Sequence, residues 1–315
     1  METILTTGFI VGLLSAGIRL AAPILVAALG ETVAERSGLM NIGIEGMMLM
    51  GALFAVFGSD ISQNAWVGVL FALLIGALMG LLFAFTTVTL LCDQVVIGMA
   101  INIFALGITS YLFRLAYGLN GQTHSVPAFD PVQIPFLSQI PIIGPIFFQQ
   151  TILIYLSYLL VPVMSFLLFK TMWGLALRAN GDHPRAVDTM GIDVIKNRYV
   201  AIMIGGAFAG LGGAILSLSH MNVFVDNITA GRGYIALAAV IFGQWSPLGA
   251  LFSSLLFGVA DATQLRLQQL SDVIPYQLVA SLPYVLTVLA LVGIIGKASP
   301  PKSLAVPYTR DGDSH

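Results

Sequence analysis

The sequence predicts an all-α fold, a polytopic bundle of membrane helices. Three observations predict it. Of 315 residues, 57% are hydrophobic and only 9% are charged, whereas a soluble domain carries about 25% charged residues to cover its surface. The mean hydropathy is +0.94. Finally, the apolar residues fall in runs at 5–29, 42–58, 65–91, 95–117, 149–169, 199–219, 234–262 and 276–296. Each run suits a helix crossing a hydrocarbon layer about 30 Å thick, and none alternates residue by residue as the strands of a closed barrel do. This composition excludes soluble enzymes and nucleic-acid binders, and 13 Lys+Arg against 15 Asp+Glu leave no basic arm for nucleic acid. The single cysteine, Cys92, excludes an intrachain disulfide.

The first run has no positive leader and no cleavage site, so it reads as a mature span. Loops follow at Gly30–Asn41, Ser59–Asn64 and Cys92–Gln94. The long loop 118–150 has no Lys or Arg, whereas 170–198 holds Lys170, Arg178, Arg185, Lys196 and Arg198. Basic residues favour the cytoplasm, so 118–150 is placed outside, 170–198 inside, and the tail with Lys297, Lys302 and Arg310 inside. The run 234–262 must then begin and end outside. Its middle, Gly243-QWSP, breaks a helix. The count is about nine crossings, or seven plus a re-entrant hairpin, with Asp261, Thr263 and Gln264 capping the outer end. Residues 1–298 make one membrane domain. Residues 299–315, polar and proline-containing, read as a disordered cytoplasmic tail.

Two stretches echo one another. Asn41-IGIEGMMLMGALFA and Ile228-TAGRGYIALAAVIF align on Gly46 and Gly233, and they enter from opposite sides, as in an inverted-topology repeat. The run Gly205-GAFAGLGGA has small residues four apart, which lets helix backbones approach closely, either within this chain or against another.

The loop 171–198 carries a small helix of its own. Asp182 or His183 can cap it, Pro184 suits its first position, and Gly191 stops it. Within PRAVDTM, Val187 and Met190 share one face while Arg185 and Asp188 occupy another. Such a helix is either a docking device or an ordinary interfacial turn.

Residues suited to catalysis are missing. Gly293-IIGKAS departs from a phosphate-binding loop, and neither CxxC nor HExxH occurs. No catalytic or metal site is expected. The polar residues inside spans are the remaining candidates. Glu45 is an ionisable group in a span, either a pathway or gate residue or a complement to a helix dipole, with Arg36 and Arg19 as the nearest opposite charges. Asn102 could bond a ribose hydroxyl, a base edge or a neighbouring helix, and Phe104 could stack on a base or face lipid. Gln244 and Trp245 sit in the helix break, where opened backbone belongs in protein or along a cavity. Asn102 and Gln244 are expected to share that cavity.

Three blocks carry a resemblance. Gly181-DHPRAVDTMGI resembles the cytoplasmic coupling loop of ABC importer permeases, with Arg185 in place of the usual acidic residue and Ala186 as the recognisable part. Ala28-LGETVAERSGLMNIGIEGMMLMGA resembles the signature of nucleoside and simple-sugar permeases, and Gly231-RGYIALAAVIFGQWSPLGAL adds a third match. These permeases belong to the larger group that includes ribose and branched-chain amino acid permeases. The resemblance implies a multi-pass subunit of a bacterial cytoplasmic membrane, C-terminus inside, importing nucleosides or, failing that, simple sugars or branched-chain amino acids. It implies a second permease chain, a cytoplasmic ATPase with two nucleotide-binding domains contacting Gly181, Asp182, His183, Pro184, Arg185, Ala186, Asp188 and Gly191, and an external substrate-binding lipoprotein. No cofactor is expected in this chain, since ATP is used by the partner ATPase. A stand-alone secondary transporter or channel is the rival, and only Glu45 and Asp261 approach the carboxylates it would need.

Overall fold

The computed structural model of the chain describes residues 7–118, 125–270 and 299–309. The run 276–296, residues 293–298 (GIIGKA, including Lys297) and Arg310 lie outside the described residues. Seven described helices are long and apolar enough to cross a bilayer. They are α1 (Thr7–Arg36), α2 (Ile44–Ser62), α3 (Ala65–Ala84, continued by a π turn at Phe85–Thr89), α4 (Gln94–Tyr117), α6 (Ile152–Lys170), α9 (Val194–Ile215, continued by a π turn at Leu216–Met221) and α11 (Pro247–Leu270). Between α4 and α6 lie a short strand β1 (Pro131–Gln133), a 3₁₀ turn, the small helix α5 (Ile143–Phe147) and β2 (Gln149–Thr151), which pairs antiparallel with β1.

The bundle is built around α9, which packs against α1, α2 and α3. Small residues make this possible. A methyl group on Gly206 or Gly210 would strike the carbonyl oxygens of Gly76 and Ala72 on α3, and one on Gly213 would strike that of Met48 on α2. Gly205 meets Gly30 and Ala34 of α1. Both stripes of the Gly205–Ala214 run are therefore used within this chain. By contrast, α4 leaves Ile103, Phe104, Leu106, Tyr111 and Leu115 on the surface.

The basic residues of 170–198 gather at one end of the bundle, here termed the basic end. Arg36 and Arg178 both lie over the Phe169 ring there. At the opposite end Arg114 pairs with Asp226 at 3.2 Å.

Three expectations are revised. The first span runs on to Arg36, because ETVAER is polar yet helix-forming and the helix stops only at Gly38, whose φ is +93°. The run 234–262 splits where Gly243–Pro247 breaks it, but into unequal arms. The first, α10 (Arg232–Phe242), is 11 residues, about 16 Å, too short to cross. The second, α11, is 24 residues and runs through Asp261, Thr263 and Gln264 to Leu270, so those residues cap nothing. Finally, 299–309 is not a loose tail. Its backbone bonds to the basic end, and Pro301 and Tyr308 are buried.

Candidate transport and coupling site

The first part of the site is the meeting of two helix starts. The first turn of any helix leaves four N–H groups without helical partners. At α2, Asn102 of α4 supplies one partner: its Oδ1 accepts from Gly46 N at 2.8 Å. The amide nitrogen of Asn102 donates to Ile42 O and to the Tyr234 hydroxyl, both at 2.9 Å. At α10, Glu45 of α2 does the same work. One carboxylate oxygen accepts from Thr229 Oγ1 at 2.6 Å and Gly231 N at 2.8 Å, and the other accepts from Gly233 N at 2.6 Å. Glu45 is 8% exposed. Its negative charge sits at the positive end of α10, and neither Arg36 nor Arg19 pairs with it among the described residues. Both glycines of the sequence echo are forced by close approach: a Cβ on Gly233 would lie 2.6 Å from Glu45 Cα, and one on Gly46 would lie 2.9 Å from Ile101 O.

The second part is the turn between α10 and α11. Gln244 and Trp245 have φ of 51° and 53°, which closes the reversal before Pro247. Arg36 Nε donates to Trp245 O at 2.9 Å, and the Trp245 indole N–H donates to the buried Glu35. The turn is thereby fastened to the C-terminal end of α1. Trp245 is buried while the Gln244 side chain is exposed. Asn102 and Gln244 therefore lie at opposite ends of α10 and do not share a cavity. Phe104 is 55% exposed on the outer surface of α4.

The third part is the small helix at the basic end. Helix α7 (Met172–Asp182) ends at His183, and Pro184 opens α8 (Pro184–Thr189). Gly191, with φ +79°, turns the chain towards α9. Gly181 is held so close to α1 that any side chain would strike the Arg36 carbonyl. Val187 is buried against Val194 and Tyr308, whereas Met190 lies just past the helix and is 79% exposed, so the two do not share a face. Arg185 and Ala186 are exposed and Asp188 is partly covered.

The segment 299–309 straps this helix down. Ser303 N donates to Gly181 O at 2.8 Å, Ala305 N to Gly38 O at 3.1 Å, and Lys302 N to Asp182 Oδ1 at 3.3 Å. The Tyr308 hydroxyl donates to Asp188 Oδ2 at 3.0 Å. Arg198, almost wholly buried, donates to Val306 O at 3.3 Å and sits 5.8 Å from the Tyr308 ring. Sequence reasoning missed Ser303, Tyr308 and Arg198. The available signal was the aromatic Tyr308 following the apolar Leu304, Ala305 and Val306 in a short proline-containing segment.

Among the described residues no cluster of His, Cys, Asp and Glu could hold a metal ion. The arrangement braces the starts of α2 and α10 inside the bundle and presents a small helix at one end.

A family profile described as branched-chain amino acid transport system / permease component matches residues 13–294. The guanosine ABC transporter permease protein NupQ of Bacillus subtilis is 42% identical, over 92% of this chain and 94% of its own. The nucleoside ABC transporter permease protein NupC of Lactococcus lactis is 37% identical over the same shares, 92% and 94%. A permease named for glucose, TsgC13 of Haloferax volcanii, is 39% identical over 84% of this chain and 80% of its own. The same Bacillus has a second guanosine permease, NupP, 29% identical over 76% of this chain and 70% of its own. No solved structure is significantly similar.

Proposed function

The chain belongs to the family of branched-chain amino acid transport system permease components, and from that premise we propose that it is one of two permease chains of an ATP-driven importer for nucleosides. The observation that carries this reading is its identity to two permeases named for nucleosides, NupQ and NupC, over 94% of each. The presence of two distinct guanosine permease proteins, NupQ and NupP, in one organism supports a different second permease chain here. A simple-sugar importer is the second reading, favoured by the likeness to TsgC13 alone.

On this reading the basic end faces the cytoplasm. A separate ATPase with two nucleotide-binding domains docks on Arg185, Ala186, Met190 and Gly191, and it uses the ATP. The opposite end receives the external binding protein. Glu45 and Asn102 hold the starts of α10 and α2 in place, because their polar atoms are spent on backbone groups. Trp245 fixes the α10–α11 turn to α1.

The test is uptake into proteoliposomes holding both permease chains and the ATPase, with the binding protein outside. ATP-dependent accumulation of guanosine, and not of glucose, is expected; accumulation of glucose alone would replace the nucleoside reading. Ala186→Glu places a charge on the exposed docking helix. It should leave insertion intact and abolish the stimulation of ATP hydrolysis by substrate; normal transport would remove α8 as the coupling element. For sidedness, Lys302→Cys in a Cys92→Ala background should resist an impermeant thiol reagent on whole cells while Ser125→Cys reacts.

A further inference from the structure

We propose that the segment 131–151 is a membrane-surface anchor. It lies at the end of the bundle away from the basic residues, at the boundary of headgroups and acyl chains, and its exposed apolar side chains rest in lipid.

The chemistry of the segment comes first. From residue 131 to residue 169 there is no Asp, Glu, Lys, Arg or His. Phe136 is 87% exposed, and Ile140, Ile142, Ile143 and Phe147 are exposed as well. Within α5, Gly144 and Ile146 are buried against the bundle, so the face turned outward is apolar. Its exposed polar neighbours are the neutral amides Gln133 and Gln139. Surfaces that meet only water rarely gather so many apolar side chains. The backbone also asks little of water. Pro131, Pro135, Pro141 and Pro145 have no N–H. Ile134 N donates to Phe148 O at 3.2 Å, Ser138 N to Ile134 O at 3.0 Å, Gly144 N to Ile140 O at 2.9 Å and Phe148 N to Gly144 O at 2.8 Å. Strand β1 pairs with β2. Unsatisfied backbone is costly against lipid, and this segment satisfies much of its own.

Two helices fix its depth. Ser15 Oγ donates to Pro145 O at 3.1 Å and accepts from Gln150 Nε2 at 3.1 Å, which ties the segment to α1. Ser15 stands 21 residues before Arg36, about 31 Å along the helix axis. The segment also runs directly into α6, whose Ile152 stands 18 residues before Lys170, about 27 Å. The far ends of the two helices share a level, since Arg36 lies over the ring of Phe169, the neighbour of Lys170. A hydrocarbon layer is about 30 Å thick. With the basic end at one surface of that layer, the segment falls at the other. Tyr155, whose hydroxyl accepts from Gln150 N at 3.1 Å, is of a residue type enriched at such a boundary. Depth and chemistry together choose the occupant. A soluble protein docks through an apolar centre rimmed by polar groups, whereas a lipid boundary needs only apolar area at the right level.

The test uses the full chain in vesicles of phosphatidylcholine and phosphatidylglycerol. Nitroxide labels are placed singly at Phe136→Cys, Ile143→Cys and Ser125→Cys in a Cys92→Ala background. At 136 and 143, relaxation by oxygen, which concentrates in lipid, should exceed relaxation by a water-soluble nickel complex, and the depth should be about 5–10 Å. At 125 the nickel complex should dominate. Adding Ile143→Asp should raise nickel accessibility of the label at 136. In a second measurement the unsubstituted chain is irradiated with a phosphatidylcholine bearing a diazirine on its acyl chain, and peptides from 131–148 should carry lipid adducts. Nickel dominance at both 136 and 143 puts the segment in water and overturns the anchor. Protection from both reagents, or lipid adducts on α4 with none on 131–148, makes this face a protein contact and overturns it as well.

Discussion

The starts of α2 and α10 solve the same problem with different chemistry. Each helix begins inside the bundle after irregular chain, each brings a glycine into contact with a neighbouring helix, and each has its first turn satisfied by a side chain from elsewhere. At α2 the cap is the neutral amide of Asn102, which bonds one N–H and spends its nitrogen on Ile42 O and Tyr234. At α10 it is the carboxylate of Glu45, which takes three hydrogen bonds from Thr229, Gly231 and Gly233. The difference follows from length. Helix α2 has 19 residues and wide contact with α3 and α9. Helix α10 has only 11, so little packing holds it and a charged cap at its positive end counts for more. The two caps are also chained, since Glu45 sits in the first turn that Asn102 caps.

That comparison can be broken at graded points. The largest effect belongs to Glu45→Leu, which strands three donors, two buried and one partly buried. We expect a loss of about 4 kcal/mol or more, read as a lowered midpoint of thermal unfolding in detergent, with proteolysis near residue 230 appearing first. Asn102→Leu strands one N–H and one carbonyl, so about 2 kcal/mol is expected. If it proves as damaging as Glu45→Leu, the two starts are equivalent and the argument from helix length fails. Tyr234→Phe removes one interhelical bond from the Asn102 amide, and about 0.6 kcal/mol is expected. A larger cost would make Tyr234 a third cap rather than an accessory.

Much of this was legible beforehand. The spans follow from apolar runs, and the hairpin break follows from Gly243-QWSP. The echo around Gly46 and Gly233 marked the two helix starts, because close approach leaves a glycine signature even when the partner is unknown. Long-range pairing leaves none. Glu45 was visible as a costly residue, but Thr229, Gly231 and Gly233 lie about 185 positions on. The paired cavity of Asn102 and Gln244 failed because α10 stands between them. The C-terminal strap was hidden for a different reason: its hold is mostly backbone, and backbone hydrogen bonds are the same for every sequence.

The strap also imposes an order on biosynthesis. It closes contacts such as Tyr308 to Asp188 that are 120 residues apart, and chains emerge N-terminus first. Helix α8 is made early, yet its footing on Tyr308 cannot form until α9, α10 and α11 have all been translated. A nascent chain therefore displays an unsupported α8 throughout insertion, and it completes the platform only once the broken helices are in place. Any partner that requires the supported form would discriminate finished permeases from unfinished ones without a separate inspection step.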